Sequence, residues 1–419
     1  MDMQGLKVLE KDIMERKREE GRREFEARLQ AEADALGAVG SDGKPLGRVR
    51  RIGMVVDTML GEMRLEVSMG FCRAKKRWET PARLQWFRGE GRAVTPAWET
   101  ALLATACETG SYEKAAKLCG VWGCPVSDDK VMDTVRRAGA ACRPELLAKT
   151  CEGAAGIRDI LIVMMDGWMV RSRGNRWGQK ESAMDERVAW KECKSAVIFR
   201  LADVAEVNKG RRVIVTKHIV AMPMETDPVS FGRKVHAEAE RMGMGRAAKV
   251  YVIIDGGVYL WGVYREHFES IAKGQLDYYH ASQHLHVLAE ALLPGEERRT
   301  EREAWVKEKS AHLKHRGPQT LQEAVAEHEL AKIADPERQA TARREASYFA
   351  DHWDHMDYPD AQTAGVPIGS GAMESQCSQN QNRFKRRGQF WSKAGFSAFI
   401  GLYVWYTNGE LDWLYRTPA

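Results

Sequence analysis

Two apolar runs decide how this chain folds: Ile160-Leu-Ile-Val-Met-Met-Asp-Gly167 and Val250-Tyr-Val-Ile-Ile-Asp-Gly256. A short continuous apolar run is typical of a strand that is buried on both faces of a sheet. Each run leads into an Asp followed by a Gly, and a Gly lets the chain turn sharply or approach a ligand closely. We therefore predict that Asp166 and Asp255 end two interior strands, at the sheet edge where ligands and metals bind. The alternative for each Asp is an ordinary turn.

The surrounding sequence predicts an α/β domain. Apolar stretches indicate strands at 160–165, 195–201, 213–220, 250–254 and 276–280. A helical pattern at 228–243 and further helical stretches alternate with them, which predicts a mixed sheet with helices on both faces. We expect this domain to consist of 155–280 and 363–419, interrupted by a charged, all-helical insertion at 281–362.

The first 45 residues are expected to form an arm and a linker. Residues 5–36 are dense in Glu, Lys and Arg, with a thin apolar face that predicts a solvated helix. A coiled coil is the alternative. The Gly, Pro and Asp content of 37–45 indicates a linker.

Residues 46–150 are predicted to hold a DNA-binding region. Alternating apolar residues at 48–71 indicate a β-hairpin that turns near Gly61. The stretch 111–135 has the layout of a helix-turn-helix, with one helix ending at Gly120 and Ser127 opening the next. Any helical hairpin with a Gly turn has a similar pattern, so this alternative stays open.

Composition excludes several classes of protein. The 419 residues are 44% hydrophobic and 29% charged, as expected of a globular protein with two or three domains. No window approaches the roughly 18 apolar residues that a membrane span needs, so we expect no membrane association. The 64 Lys and Arg exceed the 59 Asp and Glu by five, which permits a polyanionic partner without requiring one. Eight cysteines and a charged N-terminus predict a reducing, cytoplasmic location.

A third acid follows a glycine-rich loop. In Pro367-Ile-Gly-Ser-Gly-Ala-Met-Glu374, the loop residues Gly369, Ser370 and Gly371 precede a helix that Ser370 can cap. Glu374 then lies in the first helical turn, where the helix dipole favours an ionised carboxylate. The alternative is that Glu374 only stabilises the helix by interacting with this dipole. Two or three carboxylates on facing elements are what a pair of Mg²⁺ ions requires for in-line attack at phosphorus.

These residues resemble the DDE set of bacterial insertion-sequence transposases of the ISKra type, relatives of the Mutator-like group. The resemblance covers 155–415. It depends on Met165-Asp-Gly-Trp168, Ile254-Asp-Gly-Gly257, Asp277-Tyr-Tyr-His-Ala-Ser-Gln-His-Leu285, Val366-Pro-Ile-Gly-Ser-Gly-Ala-Met-Glu374, Arg387-Gly-Gln-Phe-Trp-Ser392 and Asn408-Gly-Glu-Leu-Asp-Trp413, in this order. It implies a ribonuclease-H-like catalytic domain with an all-helical insertion between Asp255 and Glu374. It also implies that Asp166, Asp255 and Glu374 bind Mg²⁺, or Mn²⁺ in its place, and catalyse DNA cleavage and strand transfer.

Asp277-x-x-His280 resembles a motif that these relatives carry just before the insertion. His280 could hold a scissile phosphate or orient an active-site group, with Asp277 setting its tautomer. A zinc site with His284 is the rival interpretation, but no cluster completes four ligands. Trp305 lies in the insertion, where its ring could stack on an unpaired base or pack between helices.

Basic residues gather beside Glu374. Between 371 and 393 the charged residues are Arg383, Lys385, Arg386, Arg387 and Lys393 against the single acid Glu374. Phe384, Phe390 and Trp391 are interleaved. This mixture favours contact with a DNA backbone, although a solvated face is the usual role of a charge run.

The sequence thus predicts a DNA transposase. The expected partners are the terminal inverted repeats of an insertion sequence, target DNA and further copies of the chain in a synaptic complex, in the bacterial cytoplasm at the nucleoid. Two alternatives remain: a host-adopted DNA-binding protein, which would need no intact acids, and a metal-dependent nuclease, which would cut without joining.

Overall fold

The computed structural model describes residues 1–87, 92–142, 159–174, 188–208 and 210–415. The chain divides into two compact units. The N-terminal unit contains Met1–Cys142 and the segment that begins at Gly409, and the sheet unit contains the described residues from Asp159 to Asn408. The segment after residue 408 therefore belongs to the N-terminal unit, although the sequence placed all of 363–419 with the sheet.

The N-terminal unit begins with a long helix on a hairpin. Helix α1 spans Met3–Ala35, and the hairpin strands are β1, Gly47–Thr58, and β2, Gly61–Cys72. Gly61 adopts a φ of 112°, which favours glycine at the turn. Phe25 and Leu29 of α1 pack against the apolar face of this hairpin. The thin apolar face of α1 thus packs against the hairpin of the same unit.

The remaining elements of this unit are β3 Arg77–Glu79, α2 Pro81–Trp86, β4 Ala93–Val94, α3 Pro96–Thr109, α4 Tyr112–Val121 and α5 Asp128–Ala141. Ser111 and Ser127 cap α4 and α5 through their hydroxyls, as the helix-turn-helix pattern required. However, the exposed face of α5 carries Asp128, Asp129 and Asp133. Three carboxylates on this face do not favour contact with phosphates, so DNA recognition through α5 stays a prediction.

The sheet unit is built on a five-stranded mixed sheet. The five strands of this sheet are β5 Ile160–Arg173, β6 Val188–Arg200, β9 His218–Ala221, β10 Lys249–Ile254 and β11 Lys273–Leu276. Between β6 and β9 the chain forms a separate hairpin of β7 Val204–Asn208 and β8 Arg211–Ile214. The order in the sheet is β11-β10-β5-β6-β9. Strand β6 is antiparallel to both of its neighbours, and β10 is parallel to β5 and β11. The predicted mixed α/β architecture is confirmed.

Two strand boundaries were wrong. The predicted strand at 213–220 is divided, because its first residues pair with β7 in the separate hairpin and only 218–221 joins the sheet. The fifth strand lies at 273–276 and not at 276–280, because Asp277 is the N-cap of the next helix.

Helices cover both faces of the sheet. In chain order they are α6 Pro228–Arg241, α7 Val258–His267, α8 Tyr278–Leu292, α9 Arg299–Arg316, α10 Glu327–Leu330, α11 Pro336–Asp351, α12 Tyr358–Thr363, α13 Gly371–Phe384 and α14 Lys393–Thr407. Val163 of β5 packs in the core that includes Phe231 of α6 and Leu260 of α7. Trp168, on the opposite face, contacts Phe384 of α13 and Phe396 of α14, with ring centroids 5.8 and 6.1 Å apart. From 281 to 362 the chain forms helices and turns and no strand.

Two further findings bear on the predictions from composition. No disulfide joins the seven cysteines in the described ranges, and all except Cys142 are buried. No helix among the described residues is both long enough and apolar enough to cross a bilayer.

Candidate active site

Strand register brings Asp166 and Asp255 side by side. The parallel pairing of β5 with β10 ends at Met165 opposite Ile254, so the next residue on each strand is one of the two acids. Asp255 follows the last residue of β10, as predicted. Asp166 does not end its strand, because β5 stays paired with antiparallel β6 as far as Arg173. The two acids nevertheless lie at the level where β10 ends.

The glycines that follow these two acids allow neighbouring side chains to pack closely against the backbone. Gly167 does not make a turn, because it lies within β5. A Cβ atom on Gly167 would lie 2.5 Å from Oε1 of Glu192 and 2.8 Å from the hydroxyl of Tyr259. A Cβ atom on Gly256 would lie 2.6 Å from the ring of Tyr348. Any larger residue would therefore displace side chains that surround the acids.

Glu374 approaches the same place from helix α13, which packs on β5 and β6. It lies in the first turn of this helix, and Cys377 follows one turn later on the same side. The Sγ atom of Cys377 lies 3.6 Å from Oδ2 of Asp166 and donates a hydrogen bond to it. The sequence did not single out Cys377, since a lone cysteine in a helix carries no local signal of its partner.

The electrostatics of Asp166 indicate that the three acids interact. Burial first, then the charges of Asp255 and Glu374, raise the pKa of Asp166 to about 6. The N–H of Gly167 and the thiol of Cys377 act in the opposite direction. Burial and the same three carboxylates raise the pKa of Cys377, so its thiol keeps the proton that it donates. The site is a group of mutually repelling carboxylates, and a divalent cation would offset this repulsion.

Asp277 fixes the loop that leads to Glu374. It is 2% exposed. Its Oδ1 atom accepts hydrogen bonds from the backbone N–H groups of Tyr279, at 2.6 Å, and His280, at 3.0 Å. Its Oδ2 atom accepts from the N–H of Ser370 at 2.6 Å and from the Ser370 hydroxyl. Asp277 thus caps α8 and ties it to the loop before α13; the predicted role of setting the His280 tautomer does not match these contacts.

The three loop residues differ in what they do. Ser370 stands at the N-cap position of α13, but its hydroxyl bonds Asp277 and makes no capping hydrogen bond, contrary to the prediction. A Cβ atom on Gly369 would lie 2.6 Å from the ring of Tyr279, so a larger residue there would displace this ring. A Cβ atom on Gly371 would meet nothing within 4 Å. Gly369 and Ser370 support the loop, whereas the structure gives no steric reason for Gly371.

His280 and His284 belong to a group of stacked rings. Their ring centroids are 5.0 Å apart in an edge-to-face arrangement. The Nδ1 atom of His284 lies 2.6 Å from Oε2 of Glu345, which is buried in α11. The ring of Tyr348 stacks on that of His284 with centroids 3.6 Å apart. Among the described residues, no group of three metal-binding side chains with ligand atoms within 4.8 Å of one another includes His280, His284 or the three acids, so this criterion does not separate the zinc alternative from the acid site.

The basic residues after Glu374 are held in different ways. The Arg383 guanidinium lies over the ring of Tyr403 at 5.1 Å, and the Nε of Arg386 donates to the backbone oxygen of Asn382 at 2.9 Å. Arg387 and Lys393 are exposed, with Lys393 3.8 Å from Glu225. All five cations thus remain candidates for DNA contact, with Arg387 and Lys393 the most accessible.

The interleaved aromatic residues are mainly core residues. Phe384 is fully buried, and Trp391 stacks on Phe399 at 5.5 Å, which removes both rings from contact with a base. The exposed aromatic residue of this surface is Trp190 of β6, at 51% exposure. The cations of Lys385 and Arg171 lie 4.8 and 5.8 Å from its ring. The sequence missed Trp190, because its cationic neighbours come from other elements.

Trp305 of α9 is partly buried and packs against the hydrophobic core of the sheet unit. This contact supports the packing role that the sequence left open. Base stacking by Trp305 is not supported by its surroundings.

Comparisons with known proteins add little to this geometry. No family model and no curated protein matches the chain. Among solved structures, the chain is similar to a chain of the Drosophila P element transposase strand transfer complex, with a TM-score of 0.28 and 10% identity over 78% of this chain and 81% of that one. The site is therefore interpreted from its own residues.

Proposed function

We propose that this chain is a DNA transposase with a ribonuclease-H-like catalytic unit and a DDE site of Asp166, Asp255 and Glu374. It binds the ends of an insertion sequence, cleaves DNA there and joins the ends to target DNA. One observation carries the proposal: the register of β5 and β10 sets Asp166 beside Asp255, and α13, which carries Glu374, reaches Asp166 through the hydrogen bond from Cys377. The strand order β9-β6-β5-β10-β11, with β6 reversed, supports it, because this is the order expected of the ribonuclease H fold.

The donor set fits Mg²⁺, or Mn²⁺ in its place. Carboxylate oxygens are the hard ligands that these ions prefer, and a buried carboxylate with a raised pKa gains most from a nearby cation. Asp166, Asp255 and Glu374 would hold the ions. Bound there, the ions would polarise phosphoryl oxygens and stabilise the charge that develops during in-line displacement.

The neighbouring residues keep these carboxylates in place. Asp277 and Ser370 anchor the loop before α13 and so set where Glu374 enters the site. The backbone N–H of Gly257 donates to Oδ1 of Asp255 at 2.9 Å, and Cys377 donates to Asp166. With DNA bound, attack of water on the phosphodiester at each end would free a 3′-hydroxyl. This hydroxyl would then attack a phosphodiester of the target DNA, so that a new P–O bond forms as the bond to the target's 3′-oxygen breaks and that oxygen leaves as a 3′-hydroxyl. His280, on the first turn of α8, would contact the scissile phosphate.

DNA would be held by the basic surface beside the acids. Arg383, Lys385, Arg386, Arg387 and Lys393 supply positive charge, and Trp190 supplies an exposed ring between two cations. Such a mixture contacts a phosphate backbone and stacks on unpaired bases. Assembly of several copies on paired ends belongs to the same proposal.

The test uses full-length protein and DNA that carries the inverted repeats flanking the reading frame. Asp166→Asn, Asp255→Asn and Glu374→Gln should each abolish cleavage and joining while DNA binding survives, because binding contacts come mainly from other residues. Glu323→Gln, at an exposed position of the same unit, is the matched control and should behave as wild type. A Glu374→Gln variant that still joins ends would refute the site.

The same assay separates the alternatives. Cutting without joining would identify a metal-dependent nuclease. Specific binding to the ends by the wild type, with neither cleavage nor joining by the wild type itself, would identify a DNA-binding protein.

A further inference from the structure

Tyr348 reaches the acid site from the helical insertion. It lies on α11, which packs against α8. Its ring stacks on His284 with an interplanar angle of 15° and a centroid distance of 3.6 Å. It also contacts the ring of His352, with centroids 4.6 Å apart. Two neighbouring rings thus pack against the Tyr348 ring.

The hydroxyl of Tyr348 lies beside Asp255. A Cβ atom on Gly256, the next residue, would be 2.7 Å from this oxygen. The oxygen is buried and has no hydrogen-bond partner among the described residues. A buried hydroxyl without a partner is destabilising, and such a group calls for an explanation. Burial, and then the charges of Asp255, Asp277 and Glu345, raise the pKa of Tyr348, so the hydroxyl keeps its proton and can only gain by donating it in a hydrogen bond.

A contact between a buried carboxylate and a histidine holds Tyr348 in this place. Glu345, one turn earlier on α11, is 3% exposed and lies 2.6 Å from Nδ1 of His284 on α8. Because Asp277 caps α8 and also binds Ser370, this helix is connected to the loop that leads to Glu374. Helix α11 therefore contacts, through α8, the element that positions Glu374, while Tyr348 on α11 lies beside Asp255.

We propose that Tyr348 is a positioning residue of the metal site, and that its hydroxyl donates a hydrogen bond to Oδ2 of Asp255 when a divalent cation is bound. Oδ1 of Asp255 already accepts from Gly257, so a donor to the second oxygen fixes the carboxylate plane. Groups that orient metal ligands in this way typically change metal affinity by about 10–100-fold. This inference rests on the proposed function, since it assigns a role within the same site.

The test measures Mn²⁺ binding to the full-length protein without DNA, by isothermal titration calorimetry and by the loss of the free Mn²⁺ electron paramagnetic resonance signal. Tyr348→Phe keeps the stacked ring and removes only the hydroxyl. We expect about tenfold weaker Mn²⁺ binding. We also expect an unchanged or higher melting temperature without metal, because an unpaired buried hydroxyl is lost. Tyr358→Phe is the matched control, because its hydroxyl is also buried without a partner among the described residues.

Asp255→Asn completes the design and should abolish binding. If Asp255→Asn abolishes binding but Tyr348→Phe stays within about twofold of wild type, well below the expected change, the positioning role is overturned and the transposase proposal stands. The same holds if Tyr358→Phe weakens binding as much as Tyr348→Phe does. If Asp255→Asn binds Mn²⁺ as wild type does, the acids are not the metal site, and both proposals fail.

Discussion

Replacing Asp166 by Asn should stabilise the metal-free protein at neutral pH. Asp166 is held among Asp255 and Glu374 and is largely buried, so its pKa is raised from the ordinary 3.8 to about 6. Above pH 6 the folded protein must keep a charge that its surroundings disfavour. Asparagine removes this charge, and its side-chain oxygen can still accept from the N–H of Gly167, which lies 2.6 Å from Oδ1 of Asp166.

The size and sign of the effect follow from linkage between protonation and folding. Each pH unit by which the pKa is displaced corresponds to about 1.4 kcal/mol, so the ionised wild type loses up to about 3 kcal/mol at pH 7.5. Below about pH 4 the carboxyl is protonated in both the folded and the unfolded chain, and the loss disappears. Wild-type stability should therefore fall as the pH rises from about 4 to about 6, and that of Asp166→Asn should not.

Differential scanning calorimetry in EDTA, from pH 4 to pH 8, measures this difference. At about 2–4 °C per kcal/mol for a unit of this size, the melting temperature of the variant should exceed that of wild type by up to roughly 6–12 °C at pH 7.5. Adding Mg²⁺ should raise the wild-type melting temperature and remove most of the gap. Glu323→Gln should show no pH-dependent gain. A variant no more stable than wild type at pH 7.5, or equally stabilised at pH 4 and pH 8, would show that the three carboxylates do not repel one another.

Further predictions concern the loop and the basic surface. Gly369→Ala should lower the melting temperature, because its Cβ would meet a tyrosine ring at 2.6 Å, whereas Gly371→Ala should leave calorimetric stability unchanged. Asp277→Asn should destabilise the protein by about 2–3 kcal/mol in urea titrations. The amide NH₂ would replace one buried carboxylate oxygen and would face the donors that now bind this oxygen. Trp391→Ala should cost about 3–5 kcal/mol as a core deletion. Arg387→Ala should instead leave stability unchanged and flatten the salt dependence of DNA binding in fluorescence anisotropy.

Local patterns in the sequence determined much of the fold. Continuous apolar runs located β5 and β10, and Ser127 and Gly61 marked a helix start and a turn that the structure contains. These signals work because strand periodicity, capping and positive φ depend on residues a few positions apart. The candidate acids could be named for the same reason, since each stands directly beside a recognisable strand or loop.

Only the tertiary structure decided what surrounds those acids. Asp166 lies within its strand because β6 extends past the end of β10, and a run of apolar residues does not reveal how far its neighbours reach. Asp277 binds a loop that follows it by more than 90 residues, and Cys377 donates across 211 residues to Asp166. Tyr348 likewise meets the site through the packing of α11 on α8. Such contacts depend on long-range packing of helices and strands, which leaves no periodic mark in the sequence of either partner.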